Sequence, residues 1–466
     1  MNRETAIRLA GEKMDSGELF ADLKRRVAIP SDCQTNQDLT HLDAYADGEM
    51  RSTLASMGFA VDRYDNPVAD AGPLIVAQRL ESDTLPTALV YAHGDVVRGM
   101  DDSWLPGLSP WTLTAVGERW YGRGTADNKG QHSILLASLA SVIQARGGRL
   151  GFNIKILVET GEERGSPGLD TFCAQHASEL RADVFLACDG PRLHAAQPTV
   201  FFGSRGIVSI RLDVDLRPGA HHSGNWGGLL RNPATTLAAA IQTLVDGHGR
   251  IQHPALKPSP IPDAVKLAIA DIQLGDSQDE DGASIDAGWG EPGLTPEERV
   301  FGWNTLEVLA FQAGDVNKPI GAIPGKAVAH LQLRYVLGTD VDGIAPAVRR
   351  HLDAHGFGMV MATVTPGSAA TRMDPDEPWA RWAVESIAET TGKKVAVLPN
   401  LGGTLPNAVF ANTLGLPTIW VPHSYPACAQ HAPNEHLLVG VAREGLAAMA
   451  GLFWDLGDPQ RTPARS

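Results

Sequence analysis

The sequence predicts an α/β protein with a mixed, mostly parallel sheet in a larger domain and a smaller βαββαβ unit inserted into it. Three observations carry this. Apolar runs that end in polar residues, such as Thr87 to His93, Phe152 to Glu159 and Asp183 to Cys188, read as buried strands. Helical spacing separates them, as in Ile134, Leu135, Leu139 and Ile143 before Gly147-Gly148. A different pattern begins near Ile207, where Val208 to Asp215 alternates apolar with polar and predicts a half-exposed strand.

Residues 1–85 open with helical patterning, including Leu39 to Gly58, which ends on a glycine. After Val208–Asp215 come a helix (Pro233 to Val245), alternating strands at Thr305–Phe311 and Ala327–Val336, a helix (Val341 to Ala354) and a strand (Met359 to Val364). That order is the split, ferredoxin-like arrangement. The expected division is 1–206 with 367–466, and 207–366 as the insertion. An excursion from Arg250 to Val300, rich in Pro, Gly, Asp and Glu, is too long for a simple connection. The α/β pattern resumes with a helix (Pro378 to Thr390) and strands at Val395–Leu398 and Pro417–Val421.

With 466 residues the chain needs more than one core. Its net charge of −15 disfavours nucleic acid and anionic membranes as partners. Cys33, Cys173, Cys188 and Cys428 have no paired spacing, so neither a disulfide framework nor a cysteine zinc site is expected. No apolar signal core or membrane-length run is seen, and the expected location is cytoplasmic.

His93 and Asp95 follow the first strand, Glu162 and Glu163 the second, and Asp189 the third. Ligand sites of open α/β sheets lie beyond the carboxyl ends of the strands, so these residues converge at one edge. Asp127 sits in a glycine-rich turn before a helix. Any one of them alone would be read as a surface residue or a helix cap; together at strand ends they would not. Clustered carboxylates need protons or a cation. Histidines among them favour Zn, Mn or Co over Mg or Ca. The candidates exceed one tetrahedral zinc, and two metals sharing a bridging carboxylate would use them. No G-x-S-x-G elbow, complete phosphate loop or dinucleotide fingerprint is present.

His93-Gly94-Asp95, Gly122-Arg-Gly-x-x-Asp127-x-Lys-Gly130, Glu162-Glu163, Asp189-Gly190 and His431-Ala-Pro-Asn-Glu435 occur in that order. On these motifs the chain resembles the dinuclear-zinc metallopeptidases that include carnosinases, cytosolic dipeptidases, acetylornithine and succinyl-diaminopimelate deacylases, and glutamate carboxypeptidases. The resemblance covers almost the whole chain. It implies two divalent metal ions, zinc first, with Mn or Co as alternatives. Asp127 would bridge them, His93 and Asp189 would complete one site, and Glu163 and His431 the other. Asp95 would orient His93. Glu162 would take a proton from a water between the metals and return it to the departing amine.

The resemblance extends to His222, directly before Ser223-Gly224, whose counterpart reaches the partner subunit's site and polarises the substrate carbonyl. Arg334 matches an arginine that binds a substrate carboxylate. Gly402-Gly403-Thr404-Leu405-Pro406 resembles the carnosinase-type Gly-Gly-Ser-Ile-Pro turn, which places the chain nearest the dipeptidase branch. Gly321-Ala322 departs from that branch, where a hydroxyl residue is common.

The expected enzyme is a metallopeptidase, a hydrolase of dipeptides or small N-acyl amino acids that carry a free carboxylate. A homodimer through the small lid domain is implied. The alternative is a hydrolase of a non-peptide amide (a deacetylase, carbamoylase or xenobiotic amidase) with the same two metals. A non-catalytic binding protein would predict damaged ligands, and none is missing.

Overall fold

A computed structural model describes residues 2–35, 39–274 and 285–464. Its centre is a mixed eight-stranded sheet in the order Ala60–Tyr64, Leu74–Arg79, Asn153–Glu159, Thr87–His93, Val184–Ala187, Thr418–Trp420, Thr199–Phe201, Ala396–Leu398. Thr87–His93 runs parallel to both neighbours, and Thr418–Trp420 runs parallel to Val184–Ala187. Leu74–Arg79 and Ala60–Tyr64 add antiparallel pairings at one edge. These two strands fall inside the region whose pattern reads as helical. Ala60–Tyr64 is a largely exposed edge strand containing Asp62 and Arg63, so it lacks the apolar run that marks the buried strands.

The central strands are covered on both faces, which explains their unbroken apolar sequence. One face packs helices Arg3–Asp15, Lys129–Ala145, Pro378–Thr391 and Val439–Leu456. The other packs Leu169–Gln175, Asp263–Ile269 and the turn around Phe410. Lys129–Ala145 is buried on nearly all sides, so it is apolar all round rather than amphipathic.

A separate core lies between strand Gly206–Asp215 and its neighbours. Here four antiparallel strands run in the order Thr305–Gln312, Lys326–Tyr335, Gly206–Asp215, Val360–Pro366. Helices Pro233–Gln242 and Ile344–Ala354 cover one face. Gly206–Asp215 alternates buried with more exposed positions, as its sequence requires. The Arg250–Val300 excursion includes helix Asp263–Ile269, which packs on the large sheet; its residues 275–284 lie outside the described ones. No helix among the described residues is long and apolar enough to cross a membrane.

Candidate metal centre

Four parallel strands aim their carboxyl ends at one region. His93 is the last residue of its strand, Glu162 and Glu163 follow Asn153–Glu159, Asp189 follows Val184–Ala187, and His431 lies in the loop after Thr418–Trp420. Asp127 enters from the turn before helix Lys129–Ala145. That turn is tight. A Cβ on Gly130 would lie 1.9 Å from the Thr125 carbonyl oxygen, so only glycine fits there.

The geometry centres on Asp127. Its Oδ1 lies 3.0 Å from His93 Nε2 and its Oδ2 lies 2.9 Å from His431 Nε2. His93 Nε2 is also 3.3 Å from Asp189 Oδ2, and His431 Nε2 is 3.0 Å from Glu163 Oε1. Two triads result, His93–Asp127–Asp189 and Asp127–Glu163–His431, each with its candidate donor atoms within 4.8 Å of one another. The one residue common to both is the one whose two oxygens face opposite histidines.

These groups fit divalent ions. Asp189 Oδ2 and Glu163 Oε1 are buried without a well-formed hydrogen bond, an arrangement that is costly unless a cation takes the lone pairs. The two N and O donor sets suit zinc, manganese or cobalt. His93 is oriented from behind, its Nδ1 lying 3.1 Å from the Asp95 carbonyl oxygen and 3.5 Å from Asp95 Oδ1. Asp95 is itself held, its Oδ2 accepting from Glu163 N at 2.9 Å and from Cys33 Sγ at 3.2 Å.

The electrostatics reflect crowding. Burial pushes the Glu162 carboxyl well above its usual range, and Glu163, Asp189 and Asp127 push it further, against the pull of His93. Burial and Asp127 raise Glu163 to about 7, against His431. Burial would raise Asp127, but its hydrogen bonds to His431 and His93 win and hold it below the normal range. No hydrogen bond to the Glu162 side chain forms among the described residues, so its oxygens are free to accept a proton.

Two buried acids that the motif reading did not single out also shape the site. Glu435 accepts from Arg123 Nη1 at 2.7 Å and from the backbone N–H groups of Gly124, Ala126 and Asp127 at 3.0, 2.8 and 3.0 Å. It therefore sets the backbone that carries Asp127. It ends the His431–Glu435 motif, which was the available signal. Glu159 accepts from Tyr91 Oη at 2.6 Å and Ser166 Oγ at 2.9 Å under the 162–163 turn. Gln430 also donates to Asp127 Oδ2.

The remaining expected residues fall in two places. Arg334 Nη1 donates to Thr404 Oγ1 at 2.6 Å, and Arg205 Nε donates to the Gly402 carbonyl at 2.6 Å. Arg334 and the 402–404 turn, some 70 residues apart in sequence, are thus brought together. His222 is exposed and pairs with Ala322 in a two-residue ribbon, its Nδ1 accepting from Gly224 N at 3.1 Å. Among the described residues it contacts none of the five candidate ligands.

Residues 89–455 match the family model described as Peptidase family M20/M25/M40. The chain is 27% identical over 356 residues to a Beta-Ala-His dipeptidase of Mus musculus, covering 72% of this chain and 71% of that protein. It is 26% identical over 392 residues to a cysteinylglycine-S-conjugate dipeptidase of Corynebacterium striatum, covering 79% and 80%. Human carnosine dipeptidase 1 shares the fold with a TM-score of 0.80 at 23% identity, over 98% of each chain. Di-peptidase Dug1p from Saccharomyces cerevisiae does so with a TM-score of 0.82 at 20% identity, over 97% of this chain and 99% of that one.

Proposed function

Because the chain belongs to peptidase family M20/M25/M40, we propose that it is a metal-dependent dipeptidase whose two ions would be held by His93, Asp127 and Asp189 and by Asp127, Glu163 and His431. The observation that carries the reading is the position of Asp127, with one oxygen facing His93 and the other facing His431. Asp189 completes the first donor set and Glu163 the second. Zinc is the proposed metal, with Mn or Co fitting the same donors. Divalent ions held there would polarise the scissile carbonyl and make an attacking water more acidic.

Glu162 supplies the proton traffic. Its place next to Glu163, with no hydrogen bond to its side chain among the described residues, suits a base that takes a proton from the attacking water and gives it to the leaving amine. Asp95 fixes His93. Arg334 and Thr404, with the Gly402-Gly403 backbone, take the substrate's terminal carboxylate, for which a guanidinium and a hydroxyl side by side are suited. Relatives that are named dipeptidases support a dipeptide substrate.

The four-stranded unit, residues 207–366, acts as a ferredoxin-like lid and dimerisation domain on the body formed by 1–206 and 367–466. Its strand order with two helices on one face supports that reading. So do exposed apolar side chains on and near its outer strand, including Phe311, Val316 and Ile320. His222, exposed and away from its own chain's cluster, serves the partner subunit's site. Four buried free cysteines accord with a reducing cytoplasm.

Chelator dialysis is the deciding experiment. Ala-Xaa dipeptide hydrolysis should vanish and return with added Zn, Mn or Co. Hydrolysis that survives full metal removal overturns the mechanism, and turnover of N-carbamoyl or N-acyl compounds alone moves the substrate to a non-peptide amide.

A further inference from the structure

A cavity of about 500 Å³ opens beside Arg334 and Arg205. Its far wall comes from residues 285–300 of the excursion, through Trp289 and Val300, and from Trp303 just after it, and its near wall from Leu309 of the outer strand. The wall is mostly apolar, yet Ile285, Trp289 and Leu309 are 50%, 49% and 61% exposed. Large apolar groups left half-covered around a concave space are what a ligand side chain would cover.

Arg205 and Arg334 stand at one end of the cavity, and Asp286, Glu291 and Glu307 line the same space. Neither Arg205 nor Arg334 makes an ion pair among the described residues; both are engaged by neutral oxygens, Gly402 O and Thr305 Oγ1 for Arg205 and Thr404 Oγ1 for Arg334. The Trp303 indole N–H is buried without a partner in the same wall. Arg334 and the tryptophans border the same cavity, so a ligand whose carboxylate meets Arg334 inside it has its neighbouring atoms in the space lined by Trp289, Val300 and Trp303.

We propose that this cavity receives the C-terminal side chain of the dipeptide and selects large apolar residues, aliphatic or aromatic, over glycine. The inference rests on the carboxylate position assigned above to Arg334 and Thr404. It gives residues 285–300 of the excursion a purpose, as the wall of a specificity pocket. Arg205 does not make the pocket one for a second carboxylate. Its Nε is committed to the 402 carbonyl, and Glu307 lines the same space as a counter-charge.

The test is a series of Ala-Gly, Ala-Ala, Ala-Leu, Ala-Phe, Ala-Asp and Ala-Glu with the metal-loaded enzyme. We expect kcat/KM for Ala-Leu or Ala-Phe to exceed that for Ala-Gly by roughly tenfold or more. Trp289→Ala should cut that ratio several-fold, and Trp289→Phe should restore most of it. Equal rates on Ala-Gly and Ala-Phe overturn the inference, as does an unchanged ratio in Trp289→Ala. A preference for Ala-Asp or Ala-Glu also overturns it and assigns Arg205 to a second carboxylate. An enzyme that cuts no member of the series fails the dipeptidase reading instead, so the two failures are distinct.

Discussion

Replacing Glu162 with glutamine keeps its volume and removes its proton transfer. Glu162→Gln should retain both metals by elemental analysis while kcat falls by roughly 10²–10⁴-fold; full activity removes Glu162 from its role. Glu435 is a different kind of acid, since it touches no donor atom of the cluster but fixes four donors around the Asp127 backbone. Glu435→Gln leaves the Arg123 charge buried and uncompensated, a loss of about 3–5 kcal/mol. Melting temperature and metal content should fall together, and a variant normal in both would refute the positioning role. Glu159 predicts a pH effect. Burial, with Asp95, raises its pKa from 4.5 to about 7, so the folded state holds the proton more tightly than the unfolded chain. Its contribution to stability is full below 4.5 and is lost as pH rises through about 7. In metal-stripped protein, the urea midpoint should fall between pH 5 and pH 8, and Glu159→Gln should flatten that fall; an identical fall in both proteins contradicts it. Of the five candidate ligands, Asp127 and His431 came from the motifs that carry the resemblance, whereas His93, Glu163 and Asp189 were legible from their strand-end positions. The roles of Glu435 and Glu159 were not, because they consist of partners: Glu435 meets Ala126 across 309 residues.

Element geometry is set where backbone meets backbone. At Gly130 any side chain would strike the Thr125 carbonyl, and neither atom sits on a flexible group. Gly130→Ala should destabilise by about 1–3 kcal/mol and lower metal content, because the turn that must give way carries Asp127. Gly11, inside helix Arg3–Asp15 with nothing within 4 Å of an added Cβ, is the matched control, and Gly11→Ala should stabilise by about 0.5–1 kcal/mol. Thermal melts of the two variants that moved in the same direction would contradict this account. Elements buried on both faces, such as Thr87–His93 and Asn153–Glu159, were readable from their apolar runs to within a residue or two. Short or exposed ones were not. Thr199–Phe201 has only three residues, too few to show a period, and Ala60–Tyr64 mixes charged with apolar side chains at a sheet edge.

For the whole molecule, the alternation of strands and helices was enough to expect a larger sheet with an inserted unit, but the order of eight strands was not written in any local pattern. The antiparallel contact of Thr418–Trp420 with Thr199–Phe201 depends on how distant segments return. The resemblance implies that His222 serves a partner subunit's site, and nothing in one chain tests that. If His222 acts across a dimer, mixing His222→Ala with Glu162→Gln subunits should recover up to about one intact site per heterodimer. Absent recovery in verified heterodimers would place His222 within its own chain's chemistry. The carboxylate of Glu435 has a last consequence, in the order of events during synthesis. The turn from Gly122 to Asp127 is made early, but the acceptor for its backbone N–H groups and the His431 ring are among the last parts of the site to leave the ribosome. A partial chain ending before residue 431 holds His93, Asp127, Glu163 and Asp189 yet cannot finish the second triad. If the two triads hold the metals, a nascent chain that lacks residue 431 should not hydrolyse peptides, and a fragment clipped ahead of that loop should be inactive rather than half-active.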